Sequence, residues 1–217
     1  MNSSSGFSLT ELMISMGLSS IVILAAITLY ASTMSNNSLA LKTNRLDHEL
    51  RAALNIIAND VRRAGYWANS QTGIGSSANN NPFQAANADI TVNGTNDCVL
   101  FSYDSNGDGA IPAIGAANSD ERFGYRLSGN VLQIRPESYA TLSCADASSA
   151  WFNITDPNSV SISAVTFTLN NTNIPLASGN LQERSAQIMI RGNLVSDTTV
   201  VRTVTKDVRI RNDKYIP

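Results

Sequence analysis

Apolar residues follow one another almost without interruption near the start of the chain. Residues 12–31 are the apolar part of a longer segment, residues 12–41, that contains no Asp, Glu, Lys, Arg or His. A run of about 20 such residues has the length that an α-helix needs to cross the hydrocarbon layer of a membrane. The sequence therefore predicts a membrane helix, and one carboxylate, that of Glu11, lies just before its apolar run.

Helical periodicity continues beyond this run with a different pattern. Apolar residues recur at steps of three, four and seven, while charged residues occupy mostly other faces. The apolar positions are Leu39, Leu46, Leu50, Ala53, Leu54, Ile57, Val61 and Ala64. Gly65 follows basic residues that suit a helix C-terminus. We therefore predict one helix over residues 7–65, about 88 Å long at roughly 1.5 Å per residue.

Beyond residue 68 the pattern becomes that of a β-rich domain. Asn, Ser, Gly and Ala dominate residues 68–96, which predicts loops with one short strand around Ile90 and Val92. Alternating residues in "RLSGNVLQIR" flank a Ser-Gly-Asn turn and predict a hairpin. The economical packing is an α+β fold in which an antiparallel sheet places one face on the amphipathic helix half. The predicted strands cover residues 99–103, 123–127, 131–134, 160–169, 186–190 and 199–210.

Composition narrows the class of protein. The 217 residues suit one ordinary domain with an appendage, and a content of 43% hydrophobic and 15% charged residues is typical of a globular chain. A formal net charge of −2 leaves no excess of Lys and Arg to neutralise phosphates, so we expect no nucleic-acid partner. A secretory signal peptide is disfavoured because residues 1–6 contain no Lys or Arg.

Candidate catalytic residues are scarce. His48 is the only histidine and lies among charged residues, where a solvated position is more common than a general base. The sequence has no GxSxG, HExxH, P-loop or GxGxxG pattern, and we expect no enzyme. Cys98 and Cys144 lack the spacing of zinc or redox sites, so the simplest prediction is one disulfide in a domain outside the cytosol.

A metal-binding pattern occurs in "SYDSNGDGAI". Oxygen-bearing side chains alternate and are followed by a glycine and a backbone carbonyl, as in the first half of an EF-hand calcium loop. The matching positions are Asp104, Asn106, Asp108 and, for the carbonyl, Ala110. The pattern therefore predicts a calcium site, and the alternative is a polar turn between two strands.

The second half of the calcium pattern is incomplete. Gly115 stands where an EF-hand has its bidentate glutamate. A further ligand would have to come from elsewhere in the chain, and Asp120 and Glu121 are the nearest carboxylates. If calcium binds, we expect a structural role for it, and we expect that no cofactor is required.

Three motifs resemble those of type IV pilus proteins. The sequence "GFSLTELM" at residues 6–13 resembles the signal of type IV prepilins, and "ANDVRRAGYW" at residues 58–67 with "VRIRN" at residues 208–212 resembles the PilW group of minor pilins. The resemblance implies a pilin-like fold and cleavage between Gly6 and Phe7 by a membrane prepilin peptidase, which also N-methylates Phe7. It further implies a single-pass inner-membrane prepilin that later enters the pilus.

The resemblance also implies an assembly role for Glu11. A charged group in hydrocarbon costs about 2.5–3.5 kcal/mol at a helix centre and less near an end. In pilin-like filaments the N-terminal ammonium of an adjacent subunit's Phe7 can pair with this carboxylate, and the low dielectric strengthens the attraction. The alternative is that Glu11 only caps the helix start, where a negative charge complements the helix dipole.

Four segments are expected from pattern and resemblance together. They are a leader (residues 1–6), a membrane and filament-core helix (7–38), an amphipathic helix half that packs on the sheet (39–65), and an extracytoplasmic β-rich domain (66–217).

The functional hypothesis is a minor pilin of type IV pilus assembly. The resemblance implies that it primes filament initiation at or near the tip. The implied partners are other minor pilins, the major pilin, the prepilin peptidase, the inner-membrane assembly platform and a tip adhesin. The alternatives are a J-type minor pseudopilin of type II secretion and a membrane-anchored, calcium-dependent periplasmic binding module. Replacing Glu11 would separate the last of these, because a simple tether should function without that carboxylate.

Overall fold

A computed structural model describes residues 6, 8–73, 79–111, 121–135, 143–145 and 151–217. The chain divides into two compact units, one ending at Asn44 and the other comprising Arg45–Pro217. The long helix of the described residues, α1 (Leu9–Val61), contributes residues to both units. The predicted helix is therefore confirmed, with regular structure beginning two residues later and ending four residues earlier than expected.

The β-structure of the described chain forms two antiparallel sheets, whereas the sequence predicted one. The first has the order β1 (Thr91–Val92), β2 (Cys98–Ser102), β3 (Arg122–Ser128), β4 (Val131–Arg135) and β5 (Phe152–Asn153). The second contains β6 (Val160–Leu176), β7 (Gly179–Leu194), β8 (Val201–Arg209) and β9 (Lys214–Ile216), with both β8 and β9 paired to β7. Two 3₁₀ helices span Ser70–Gly73 and Pro82–Gln84.

Two turns of the first sheet provide acceptors for the edge of β6. Asn96 and Asn130 adopt left-handed conformations, with φ of 60° and 63°. Their carbonyls accept hydrogen bonds from the N–H groups of Phe167 and Ile162, each at 2.8 Å. Gly129, which precedes Asn130, also has positive φ, as the tight turn of the predicted hairpin requires. The hairpin is confirmed, and its turn joins the two sheets.

The second half of α1 buries its apolar face within the Arg45–Pro217 unit. The predicted apolar positions from Leu46 onward are each at most 4% exposed. Leu39 lies seven residues before Leu46, and so on nearly the same side of the helix, but it is 52% exposed and belongs to the first unit. A Cβ added to Gly192 of β7 would lie 3.3 Å from Leu50 Cδ2 and 2.9 Å from the Ser161 carbonyl oxygen. The glycine therefore permits close packing of the helix on the second sheet.

Gly65 ends the helical region, as predicted. Its φ of 73° lies in the left-handed region that favours glycine. Its N–H donates to the carbonyl of Ser102 at 2.8 Å. A Cβ at this position would lie 2.8 Å from Nη2 of Arg184. Gly65 is therefore required both by its backbone conformation and by the arginine packed against it.

The two motifs that resemble PilW-type pilins contact each other. Asn212 of "VRIRN" donates its side-chain N–H to the carbonyls of Arg63 and Ala64 at 3.3 and 3.1 Å. The N–H of Arg211 donates to the carbonyl of Arg62 at 3.1 Å. Carbonyls at the end of a helix have no partner within it, so these bonds satisfy them. The side-chain contact gives Asn212 a structural role, whereas the other residues take part through their backbone groups.

Strands β6 and β7 are longer than predicted. They contain 17 and 16 residues, and their extensions pair with each other from Asn170↔Ser185 to Leu176↔Gly179. Most of the added β6 residues are exposed, so the alternation that marks a half-buried strand is missing there. The short strands β5 and β9 were also not predicted, since each has only two or three residues.

Candidate functional site

The first unit contains the apolar run that the sequence predicts to enter a membrane. One described helix, α1, is long and apolar enough to cross a bilayer. Its large apolar side chains between Leu9 and Leu41 are each at least 52% exposed. A helix that is apolar on every side requires lipid or other helices as its surroundings. The exposed run therefore agrees with the predicted membrane segment.

Hydroxyl groups of this segment are satisfied inside the helix. They donate to backbone carbonyls three or four residues earlier at 2.8–3.0 Å. The donors are Ser15, Ser19, Ser20, Thr28 and Thr33. Hydrocarbon offers no water as a partner, so these bonds lower the free energy of placing hydroxyls there. The segment is thereby suited to lipid or to close packing with other helices.

Glu11 and Ser8 cap the start of α1, with Ser8 Oγ bonded to the second helical residue and not to the third as in a complete capping box. Its Oε2 accepts the backbone N–H of Ser8 at 3.0 Å, and Ser8 Oγ accepts the N–H of Thr10 at 3.3 Å. A Ser-x-x-Glu sequence makes this kind of reciprocal contact at helix N-termini. Glu11 therefore has the capping contact that was the alternative prediction. Its pairing with another subunit stays a prediction, and Phe7 lies outside the described residues.

The predicted disulfide is confirmed. Cys98 and Cys144 are bonded across a sequence separation of 46 residues. Cys98 is buried and packs with Leu100 and Trp151. The guanidinium of Arg126 lies 4.4 Å from the Trp151 ring centroid, and its Nη1 donates to the carbonyl of Cys144 at 2.8 Å. The bridge therefore attaches the segment that contains Cys144 to strands β2 and β3.

Neighbouring ends of β2 and β3 bring acidic residues together. Ser102 pairs with Arg122, and the N–H of Tyr103 continues the ladder by donating to the carbonyl of Glu121 at 3.2 Å. Asp104 and Glu121 are therefore close because they follow and precede paired strands. In the sequence, Glu121 is only one of the two carboxylates nearest to the loop. The pairing of β2 with β3 is what identifies Glu121 as the carboxylate that lies near Asp104.

Three carboxylates share a small volume at these strand ends. Oxygen atoms of Asp104, Asp108 and Glu121 lie within 4.8 Å of one another. Asp104 is 3% exposed and Glu121 is 0% exposed, whereas Asp108 is exposed. Glu121 Oε1 accepts the N–H of Ser105 at 3.0 Å. Its Oε2 is buried and has no hydrogen-bond partner among the described residues, an arrangement that is costly without a compensating ligand.

Asp104 shapes the loop that carries Asp108. Asp104 Oδ1 accepts the N–H of Gly107 at 2.7 Å, and Oδ2 accepts those of Ala68 and Gly109 at 2.9 and 3.1 Å. Gly107 and Gly109 have φ of 81° and 77°. A Cβ on Gly109 would lie 1.9 Å from Nδ2 of Asn69, so a side chain at this position would disrupt the loop.

The other two predicted calcium ligands contact Asp108. Asn106 Nδ2 donates to Asp108 Oδ2 at 3.0 Å, and the N–H of Ala110 donates to Asp108 Oδ1 at 2.8 Å. Asn106 Oδ1 in turn accepts the N–H of Asp108 at 2.8 Å. Both residues thus form the polar turn that was the alternative prediction. Gly115 and Asp120 lie outside the described residues.

The surroundings of Glu121 raise its pKa. Burial is the main cause, and the negative charges of Asp104 and Asp108 act in the same direction. The backbone N–H groups of Ser105 and Asn106 lower the pKa without cancelling these effects. A positive charge placed between the three carboxylates would therefore be favourable.

Two families of known proteins match this sequence. Residues 39–210 match "Prepilin peptidase-dependent protein B", and residues 1–27 match the "Prokaryotic N-terminal methylation motif". The second match confirms the prepilin-type signal predicted at residues 6–13 and includes Gly6, Phe7 and Glu11.

A relative from Escherichia coli (strain K12), "Prepilin peptidase-dependent protein B", is 26% identical over 157 residues. The matched region covers 72% of this chain and 73% of the relative. No solved structure matches the chain. The narrower assignment to the PilW group stays a prediction.

Proposed function

The chain belongs to the prepilin peptidase-dependent protein B family, and we propose that it is a minor pilin that takes part in type IV pilus assembly. The methylation motif over residues 1–27, together with the exposed apolar run of α1, carries the proposal. In this role the protein joins other minor pilins to prime the filament and lies at or near its tip. No catalytic step of its own is proposed.

Processing comes first in the proposed sequence of events. A membrane prepilin peptidase cleaves between Gly6 and Phe7 and methylates the new amine of Phe7. The capping contact between Ser8 and Glu11 lies after the cleaved bond, so cleavage leaves both of its residues in the mature chain. The inner-membrane protein then passes, through the assembly platform, into the pilus.

Lateral docking then follows from the charge of Glu11. Its described hydrogen bond, through Oε2, comes from a neutral backbone N–H and leaves the negative charge uncompensated. The ammonium of Phe7 on an adjacent subunit would supply an opposite charge in a medium of low dielectric constant. An unmatched charge is expensive there, so the pair would select the stagger between subunits as well as strengthen their association.

The capping contact and the docking charge can be tested separately with three variants. Glu11→Gln keeps an acceptor for the Ser8 N–H and loses the charge. Glu11→Ala loses both, and Ser8→Ala keeps the charge while removing the Oγ that accepts the Thr10 N–H. We expect both Glu11 variants to be cleaved yet missing from filaments, whereas Ser8→Ala enters them.

The measurement is mass spectrometry of filaments sheared from cells that express each variant in place of the natural chain. The natural chain should begin at N-methylated Phe7 and be scarce relative to the major pilin. An uncleaved chain in filaments, or Glu11→Gln incorporated at the natural level, would overturn the proposal. Absence of Glu11→Ala from filaments together with natural incorporation of Glu11→Gln would assign Glu11 to capping.

A J-type minor pseudopilin of type II secretion is the second candidate, because the methylation motif and the apolar run of α1 fit that role as well. Deletion of the chain distinguishes the two roles. A minor pilin is required for normal numbers of surface pili, and a pseudopilin is required for export of secreted proteins. A simple membrane tether would show neither defect after Glu11→Ala.

A further inference from the structure

We propose that Asp104, Asp108 and Glu121 form a calcium-binding site at the ends of strands β2 and β3. Oxygen atoms of all three side chains lie within 4.8 Å of one another. Glu121 is fully buried, and its Oε2 has no hydrogen-bond partner in the described part of the chain. A cation held between the carboxylates would satisfy this atom and offset the repulsion among three negative charges.

The donor set points to calcium. All three side chains offer oxygen, which calcium prefers, and calcium accepts six to eight oxygen ligands in flexible geometry. Both cysteines are in the disulfide, so no thiolate is available for a softer metal. Magnesium requires near-ideal octahedral geometry and retains several waters. Three carboxylates from the ends of two strands therefore suit calcium, whose coordination geometry is less restricted than that of magnesium.

Glu121 supplies the carboxylate that the loop sequence lacks. An EF-hand receives a bidentate glutamate from the twelfth position of its own loop, and Gly115 stands at that position here. The ladder contact between Tyr103 and the Glu121 carbonyl instead brings Glu121 to the loop from the start of β3. The glutamate ligand therefore comes from Glu121, which strand pairing places beside the loop, and not from the twelfth position of the loop itself.

A purely structural turn explains only part of this arrangement. The three backbone N–H groups that donate to Asp104 account for the burial of that carboxylate. They do not account for Glu121, which buries a second carboxylate beside the first. The N–H of Ser105 donates to Glu121 Oε1 at 3.0 Å, and the N–H of Asn106 also stabilises this carboxylate. The unpartnered Oε2 is the feature that a turn leaves unexplained and a cation explains.

Terbium luminescence provides a direct test on the full chain in detergent micelles. Trp67 Nε1 donates to the carbonyl of Gly109 at 2.8 Å, so an indole lies beside the loop and can sensitise terbium bound there. After the protein has been stripped with a chelator, excitation of tryptophan should give terbium emission that calcium chloride displaces. We expect a calcium dissociation constant on the order of 10⁻⁴–10⁻³ M, as in extracellular modules. Magnesium chloride should compete more weakly.

Substitutions of the proposed ligands test whether calcium binds at these carboxylates. Glu121→Gln and Asp108→Asn should each weaken calcium binding by about tenfold or more, because affinity follows the number of charged ligands. Asp207→Asn removes an exposed carboxylate of β8 and should bind as the natural chain does. Circular dichroism and an intact disulfide would show that each variant is folded. Asp108 is exposed, so Asp108→Asn decides the question if Glu121→Gln does not fold.

Two results would overturn the calcium site. One is the absence of displaceable terbium emission and of a calcium-dependent rise in unfolding temperature at up to about 10 mM calcium, well above the expected range. The other is folded Glu121→Gln that binds as tightly as the natural chain. The assay needs no filament, so its outcome is independent of whether the protein is a minor pilin.

Discussion

Residues of α1 before and after Asn44 share one backbone geometry but differ in what surrounds their side chains. In the first unit the large apolar residues are each at least 52% exposed, on every side of the helix. In the second unit the apolar face is at most 4% exposed from Leu46 onward and is covered by strands. The backbone of α1 is therefore helical in both units, whereas its apolar side chains are exposed in the first unit and buried on one face in the second.

The difference shows that the pattern of apolar residues determines the partner of each half. An amphipathic half buries one face on its own sheets, and the hydrophobic effect supplies the driving force. The uniformly apolar half has no equivalent face, and its association in lipid depends on close packing and polar contacts. The first half of α1 therefore needs lipid or the helices of other chains to cover its apolar side chains.

Replacing one leucine in each half of α1 with alanine should show the difference between the two halves most clearly. Leu50→Ala should destabilise the Arg45–Pro217 unit by about 2–5 kcal/mol, because Leu50 is fully buried and its loss leaves a cavity. Leu24→Ala is the matched control, since Leu24 is 62% exposed, and it should leave the unfolding midpoint unchanged. Urea unfolding of the full chain in micelles, followed by tryptophan fluorescence, measures both. Equal effects of the two variants would contradict the comparison.

Adding a methyl group to a glycine gives a second matched pair. Gly65→Ala should cost about 2–3 kcal/mol, since it forces left-handed strain and displaces the guanidinium of Arg184. Gly17→Ala meets nothing within 4 Å and should not destabilise the isolated chain.

The glycine pair also distinguishes stability from assembly. A small residue such as Gly17 lets neighbouring helices approach closely in lipid, so Gly17→Ala should reduce incorporation into filaments although thermal unfolding is unchanged. Thermal unfolding and filament counts together check this pair. A destabilising Gly17→Ala would indicate that the first half has partners within its own chain.

The smallest expected effect concerns the contact at the end of the second half. Asn212→Ala should lower stability by about 1 kcal/mol, the usual effect of losing a side-chain cap at a helix end. The exposed Asn171 provides the control, and Asn171→Ala should be neutral. Chemical unfolding resolves the difference, and equal midpoints would show that water replaces the Asn212 amide without penalty.

Much of the fold follows from local sequence. The two halves of α1, the turn at Gly65 and the hairpin at Gly129 are encoded by residues close together in the chain. The extension of β6 is not, because its residues are exposed and Pro175 interrupts the strand pattern. The added residues 179–185 of β7 are mostly half-buried and likewise lack a clear alternation of buried and exposed positions. The division into two sheets also depends on distant contacts, such as that between Asn96 and Phe167.

The candidate calcium site could likewise be predicted only in part from local sequence. The spacing of Asp104 and Asp108 predicted two of its carboxylates. Glu121 could be selected only from the register of β2 and β3, which sequence spacing does not specify. The cysteine pairing was simpler to predict, because Cys98 and Cys144 are the only two cysteines.

The hydrogen bonds from Asn212 to Arg63 and Ala64 join residues 149 and 148 positions apart. A ribosome makes α1 well before Asn212, so this closure must wait until all the strands between them have been synthesised. Such distant pairing is slow to form. Copies that stop short of residue 212 would retain uncovered helix carbonyls and a less stable domain, which leaves them open to envelope proteases.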